Sequence, residues 1–282
     1  MIRALQIACA SCLGFCLVGC DGREEREPMW EQVKIGDIAP SGDDKRSMAQ
    51  MLKTIHFGVR IFEIPAENVG ALDKLWLELE MRPLRFSSHS AFRANSFSIG
   101  AGQMRLWDRA HELLYAAGGQ QVVAVSLLLS DSEDNDLIVR GLGTTQRVFY
   151  TAVNGAKEVT TVGPGVIALR LQAEKAPGSR DMCTLIGYPV FSVPAGGSIP
   201  QLAERAKSRE FSFTSAAFAL KMAPGDFVAL GPDKYISDQT ALGGLFFSKP
   251  EGSLFFSASE GKPPESKPAV SIFLLICTRI NY

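Results

Sequence analysis

The sequence predicts an α+β protein: a small β-α-β-β-α-β module over 51–130, then a mostly antiparallel β-rich domain over 131–282. Three observations predict it. Apolar residues alternate at Ile55, Phe57, Val59 and Ile61, the two-residue period of a strand. Two stretches, 66–80 and 103–117, repeat apolar residues at helical spacing. From about residue 137 onward that spacing gives way to short apolar runs between turn signals.

The first strand ends at Pro65. Val69, Leu72, Leu75, Trp76 and Leu79 then place one apolar face on a helix from Ala66 to Glu80, stopped by Pro83. Leu84 to Ser88 and Ala91 to Ile99 read as two short strands, the second leading into Gly100-Ala101-Gly102. Leu106, Trp107, Ala110, Leu113, Leu114 and Ala117 define a second helix over Gln103 to Ala117, closed by Gly118-Gly119. Gln121 to Leu129 is a strand rich in valine and leucine. Further strands are expected at 137–140, 147–153, 158–162, 166–171, 182–193, 210–214, 217–222, 226–230, 244–247, 253–257 and 270–280. Asn154-Gly155, Gly163-Pro164-Gly165, Pro177-Gly178 and Pro224-Gly225 supply turns between them, the pattern of a sandwich or barrel. One short helix is expected over Ile199 to Ser208, and a loose loop over Gly261 to Pro268.

The chain has 282 residues, 46% of them hydrophobic, enough for one large or two ordinary domains. Its 29 basic and 30 acidic residues leave a formal charge of −1, which gives no electrostatic reason to expect nucleic acid as a partner.

At the N-terminus, Arg3 precedes an uncharged apolar run from Ala4 to Val18. A run of ~15 residues suits the core of an export signal and falls short of the ~20 needed to span a bilayer. It ends Leu17-Val18-Gly19-Cys20, which resembles the lipobox of bacterial lipoproteins. That resemblance implies cleavage after residue 19, a diacylglycerol thioether on Cys20 and acylation of the new amino terminus. Two or more acyl chains hold a protein stably at a membrane, where one does so marginally. The expected organisation is a signal peptide over 1–19, a lipidated cysteine with a flexible tether over 20–50, and the folded body beyond. The tether is charged and broken by Pro28, Pro40 and Gly42, with no apolar period. Cleavage removes Cys9, Cys12 and Cys16 and leaves Cys183 and Cys277 as the remaining thiols. They either pack as small apolar residues in strands or pair with each other.

A second resemblance follows from the element order. Arg93-Ala94-Asn95-Ser96-Phe97-Ser98-Ile99-Gly100-Ala101, with Trp107 and Leu113-Leu114 after it, looks like a strand and second helix in the periplasmic ring-forming domains of secretins. Phe62 to Val69 is similar to the strand-to-helix junction of the same domain, a ring-domain or KH-like module. Near the end, Thr240 to Phe247 and then Ser271 to Ile280 resemble the closing segment of a secretin channel domain, with Thr278, Arg279 and Ile280 in matching order. Ala94 stands where that family has threonine, and the long membrane-inserting hairpins are missing. The resemblance implies a secretin-like or secretion-associated envelope component and not a complete channel.

No catalytic, cofactor or metal site is expected; the one assigned site is lipidation at Cys20. His56, His89 and His111 have no ligand-spaced partners. His111-Glu112 reads as the solvated face of a helix, and His56 as an outward strand residue. Asp131-Ser132-Glu133-Asp134-Asn135-Asp136 lacks the spacing and distal glutamate of a calcium loop and reads as a solvated hairpin loop. Gly100-Ala101-Gly102 reads as a turn and helix start, with an anion cradle as the other possibility. Phe246-Phe247 and Phe255-Phe256 are expected to be core or an interface.

These features predict a lipid-anchored cell-envelope protein facing the periplasm or exterior, without enzymatic activity. Its structural role would involve the membrane and either further copies of itself or an envelope complex. The alternative is an envelope ligand- or glycan-binding lipoprotein, with Tyr150, Tyr188 or Tyr235 exposed in a concave surface.

Overall fold

Strand β1, Thr54–Pro65, carries the expected alternation and uses both of its faces. Ile55, Phe57 and Val59 enter one hydrophobic core, while Phe62 and Ile64 enter another. A strand buried on both sides must sit in the middle of a layered structure, and the computed structural model shows why. It describes residues 54–81, 84–179, 181–193, 209–253 and 266–281. The signal peptide, Cys20, the tether, the helix expected at 199–208 and the Phe255-Phe256 pair lie outside them.

The described residues are mostly antiparallel β-structure. The first sheet runs β3 (Phe97–Gly102), β12 (Phe227–Pro232), β14 (Lys267–Asn281), β1, β4 (Gln120–Ser130), with β13 (Ser248–Ser253) also on β14. The second runs β2 (Leu84–Phe86), β11 (Phe218–Met222), β9 (Cys183–Ser192), β8 (Gly165–Lys175), β5 (Asp134–Leu142), with β10 (Phe211–Ser212) on β9. A separate hairpin joins β6 (Gln146–Thr151) and β7 (Lys157–Val162).

The two sheets share the larger core. Ile167, Leu169 and Leu171 of β8 and Leu220 of β11 meet Val228, Leu230, Phe273 and Leu275 from the first sheet. The helices cover the outer face of the first sheet. A 3₁₀ turn, Ala66–Leu72, leads into α1 (Asp73–Glu78), and a second 3₁₀ turn, Met104–Leu106, leads into α3 (Trp107–Ala116). Leu72, Leu75, Leu113 and Leu114 from these elements pack on Phe62, Phe227, Ile272 and Leu274. Burying each such side chain contributes roughly 1.5–3 kcal/mol.

The layers explain the apolar run at the C-terminus. In β14, Val270, Ile272, Leu274 and Ile276 face the helices, and Phe273, Leu275 and Cys277 face the second sheet. Such a strand needs neighbours on both edges, and β1 and β12 supply them. This is where the fold departs from two consecutive modules. β1 pairs with β4 as a self-contained module would require, but its other edge takes β14. β3 pairs with β12, and β2 leaves for the second sheet beside β11. The strands of 51–130 therefore complete their sheet with strands from the C-terminal half.

Three local expectations are corrected. Residues 91–94 are not strand. They belong to α2, His89–Ala94, because Ser88 caps that helix by accepting a hydrogen bond from the Ala91 amide at 3.2 Å. The strand follows only after Ser96, whose φ of 65° reverses the chain. The first helix ends at Glu78, well before Pro83, because Glu80 exchanges two backbone hydrogen bonds with Ala101. Residues 244–247 are not strand either. They lie in α4, Leu242–Phe247, with β13 starting directly after it.

Candidate functional site

Strand β4 is the outermost strand of its sheet, and among the described residues it pairs with β1 alone. Its sequence, Gln-Gln-Val-Val-Ala-Val-Ser-Leu-Leu-Leu-Ser, contains no charge and no proline. Edge strands usually carry such residues, because their unpaired N–H and C=O groups recruit other strands. Here Val125 is 42% exposed and Leu128 is 55% exposed. The chain then turns at Asp131–Glu133 into β5, the outermost strand of the second sheet, where Ile138 is 61% exposed. Consecutive strands thus end the two sheets, and each presents aliphatic side chains to solvent.

Asp131, Asp134 and Asp136 are already engaged. Asp131 accepts the Lys175 amide at 3.0 Å. Asp134 and Asp136 belong to β5, not to a solvated loop, and with Glu210 they surround Arg170 at 3.6, 2.7 and 3.0 Å. Hydrogen bonds to Asp136 and Glu210 raise the Arg170 guanidinium well above its ordinary range. The cluster is an ion-pair network across β5 and β8, and its carboxylates already have a cation. Among the described residues, no group of three His, Cys, Asp or Glu side chains could hold a metal ion.

The hairpin β6–β7 forms a second feature. It stands over α2 because Asn95 grips β6: the Asn95 amide nitrogen donates to the Thr151 carbonyl at 2.8 Å, and its oxygen accepts the Thr151 N–H at 2.8 Å. Asn95 Nδ2 also donates to Ala91 O at 2.8 Å. Tyr150 divides the space beneath the hairpin into two hollows of about 430 and 340 Å³. Val153, Glu158, Thr214 and Ser215 line the first, and Ser96, Phe149, Lys157 and Gly243 line the second. The Tyr150 hydroxyl donates to Glu158 Oε2 at 2.6 Å. Burial and that acceptor push its pKa up to about 12. Tyr150 is half-buried against Phe211 and Phe213. Tyr188 and Tyr235 are half-buried too, and neither lines these hollows.

The remaining candidates are dispersed. His56 lies on β1 with Nε2 at 3.2 Å from Asn281 Nδ2, and His89 is exposed beside Phe86. His111 is not on a solvated face. Its ring packs among Phe62, Trp107 and Tyr115, with centroids 5.3, 4.3 and 6.0 Å away, and its buried Nε2 has no partner. Burial, followed by the charge of Arg60, lowers its pKa.

Gly100-Ala101-Gly102 is neither a turn nor a cradle; it lies in β3. A Cβ at Gly100 would fall 2.5 Å from Leu79 Cβ, and one at Gly102 would fall 2.4 Å from Phe227 Cζ. The glycines give the segment after α1 its close approach to the sheet. Phe246 and Phe247 are both core, in tilted and edge-to-face contact with Phe97 and Phe273.

Sequence reasoning missed the roles of Asn95 and Arg170, since neither interaction has a signature in local spacing. The missing charges of β4 were visible from the start, but only its place at the sheet edge gives them meaning. The chain matches no protein-family model, and no curated protein matches it.

Proposed function

We propose that this chain is a lipid-anchored cell-envelope protein with a structural role, which assembles through the open edge of its first sheet. The carrying observation is β4: an eleven-residue outer strand without charge or proline, with Val125 and Leu128 in solvent. A second copy adding its own β4 antiparallel would pair the free backbone groups and cover both sets of side chains in one isologous contact.

The anchor rests on Leu17-Val18-Gly19-Cys20 after the apolar run. The secretin resemblance at 93–101 and 271–280 supports a secretion-associated setting. No helix among the described residues is long and apolar enough to cross a membrane, so acyl chains on Cys20 supply the attachment in this reading. Light scattering on the detergent-solubilised full chain tests the assembly: a mass of two or more chains per particle is expected, and a monomer at micromolar concentration overturns it.

The hollows beside Tyr150 favour a second reading, a module that binds an envelope glycan against the half-buried ring and the exposed face of Phe149. Quenching of intrinsic fluorescence by soluble peptidoglycan fragments, lost in Tyr150→Ala, would favour it over assembly.

A further inference from the structure

Cys183 opens β9 in the second sheet, and Cys277 lies near the end of β14 in the first. The strands are not neighbours, yet the two residues share the core between the sheets, and neither is exposed to solvent. One tight turn, 222–226, links them: Met222 pairs in register with Cys183, the Gly225 N–H donates to Cys277 O at 2.8 Å, and both cysteines are free thiols. The backbone around them is fixed. Cys183 sits opposite Lys175 and Met222 in register, Cys277 sits opposite Phe57, and the Cys277 N–H donates to Asp226 O at 2.9 Å.

We infer that Cys183 and Cys277 are a redox pair, and that a disulfide-class oxidant closes them into a covalent staple between the two sheets. The chemistry is thiol–disulfide exchange. The thiolate of one cysteine attacks one sulfur of the oxidant, forming a mixed disulfide and expelling a thiolate. The thiolate of the other then attacks the first cysteine's sulfur, forming the Cys183–Cys277 bond and expelling the second thiolate. Two cysteine thiols are oxidised, one external disulfide is reduced to two thiols, and the two cysteine protons pass to the leaving thiolates.

Because both sulfurs are inaccessible in the native state, exchange must occur while the chain folds or opens. The folded reduced protein should therefore oxidise slowly, and the refolding protein quickly. That this happens in the cell rests on the export reading, because an oxidising envelope supplies the oxidant and a reducing cytosol does not.

The test is to refold the full chain with oxidised glutathione, denature it, alkylate with a maleimide and map the peptides. Both cysteines should lose alkylation together, a cross-linked peptide pair should appear, and dithiothreitol should restore both. Cys183→Ala and Cys277→Ala should each abolish the cross-link. Full alkylation of both residues after oxidative refolding, or cross-links only between chains, overturns the inference. The same mapping on chain taken from bacterial envelopes separates the two readings. A cross-link formed with glutathione but missing in the envelope sample leaves the thiol pair standing and counts against export.

Discussion

Asn95 shows how much one polar side chain can carry. Its amide makes the two hydrogen bonds of a backbone partner to Thr151 and a third to Ala91 O, and it is buried. Replacing it with alanine leaves the Thr151 N–H and C=O without those partners. A buried group left unsatisfied costs about 1–3 kcal/mol. Asn95→Ala should lower the stability measured by urea unfolding by that amount and loosen the β6–β7 hairpin; an unchanged midpoint would refute the clamp. His111 gives a pH prediction. Its folded pKa lies below the ordinary histidine value of 6.5, so near and below that pH the unfolded chain binds more protons than the folded one. The neutral ring's contribution is complete above pH 6.5 and is lost as pH falls through the folded pKa. Melting temperatures at pH 7 and pH 5 should differ less in His111→Phe, which keeps a ring among Phe62, Trp107 and Tyr115, than in the native chain. Equal differences would show that another group carries the acid sensitivity.

Elements with a strong period were the legible ones. β1, β8, β12 and β14 fall close to where alternating or continuous apolar residues put them. The α2 segment was misread because Ala91, Phe92 and Phe97 suit either structure, and the decision lies with the Ser88 cap and the Ser96 reversal. The α4 segment was misread because Leu242-Gly243-Gly244-Leu245-Phe246-Phe247 has two glycines and an apolar run, which favour a strand locally. Tertiary packing reverses that preference: a Cβ at Gly243 would meet Asn95 O at 2.4 Å, so the turn of helix fits only against the end of α2. The edge role of β4 could not be read from its sequence, since the same residues in a central strand would be ordinary core. A lysine at an exposed position of an edge strand is the usual protection of an open edge. Val125→Lys should therefore shift the full chain toward monomer in light scattering without moving its melting temperature by more than a few degrees. A Val125→Lys protein as associated as the native chain would remove β4 from the interface.

Across the whole molecule, sequence order and spatial order diverge. Residues 54–130 carry β1 to β4, but α2 separates β2 from β3, β2 joins the second sheet, and the first sheet is finished by β12 and β14, which the chain contributes more than ninety residues later. Periodicity reports on faces and not on neighbours, so the sequence could suggest the module without revealing that its sheet is shared. A fragment of residues 51–130 would leave Phe62 and Ile64 without Val270 and Ile272, and β3 without β12. It should show a collapsed, poorly dispersed spectrum in proton-nitrogen correlation NMR, while 51–282 should be well dispersed. A dispersed spectrum from the short fragment would show that the module stands alone.

In the proposed reading, attachment at the bilayer would govern what an open edge can meet, since anchoring confines copies to a plane and raises their local concentration. That proposed attachment would depend on a single residue, Cys20. Intact-mass spectrometry of the chain extracted from bacterial membranes should find an N-terminus at Cys20 carrying a diacylglycerol thioether and a further acyl group. Recovery of residues 1–19 still attached, or of a chain beginning at Cys20 with no added lipid mass, would contradict the account.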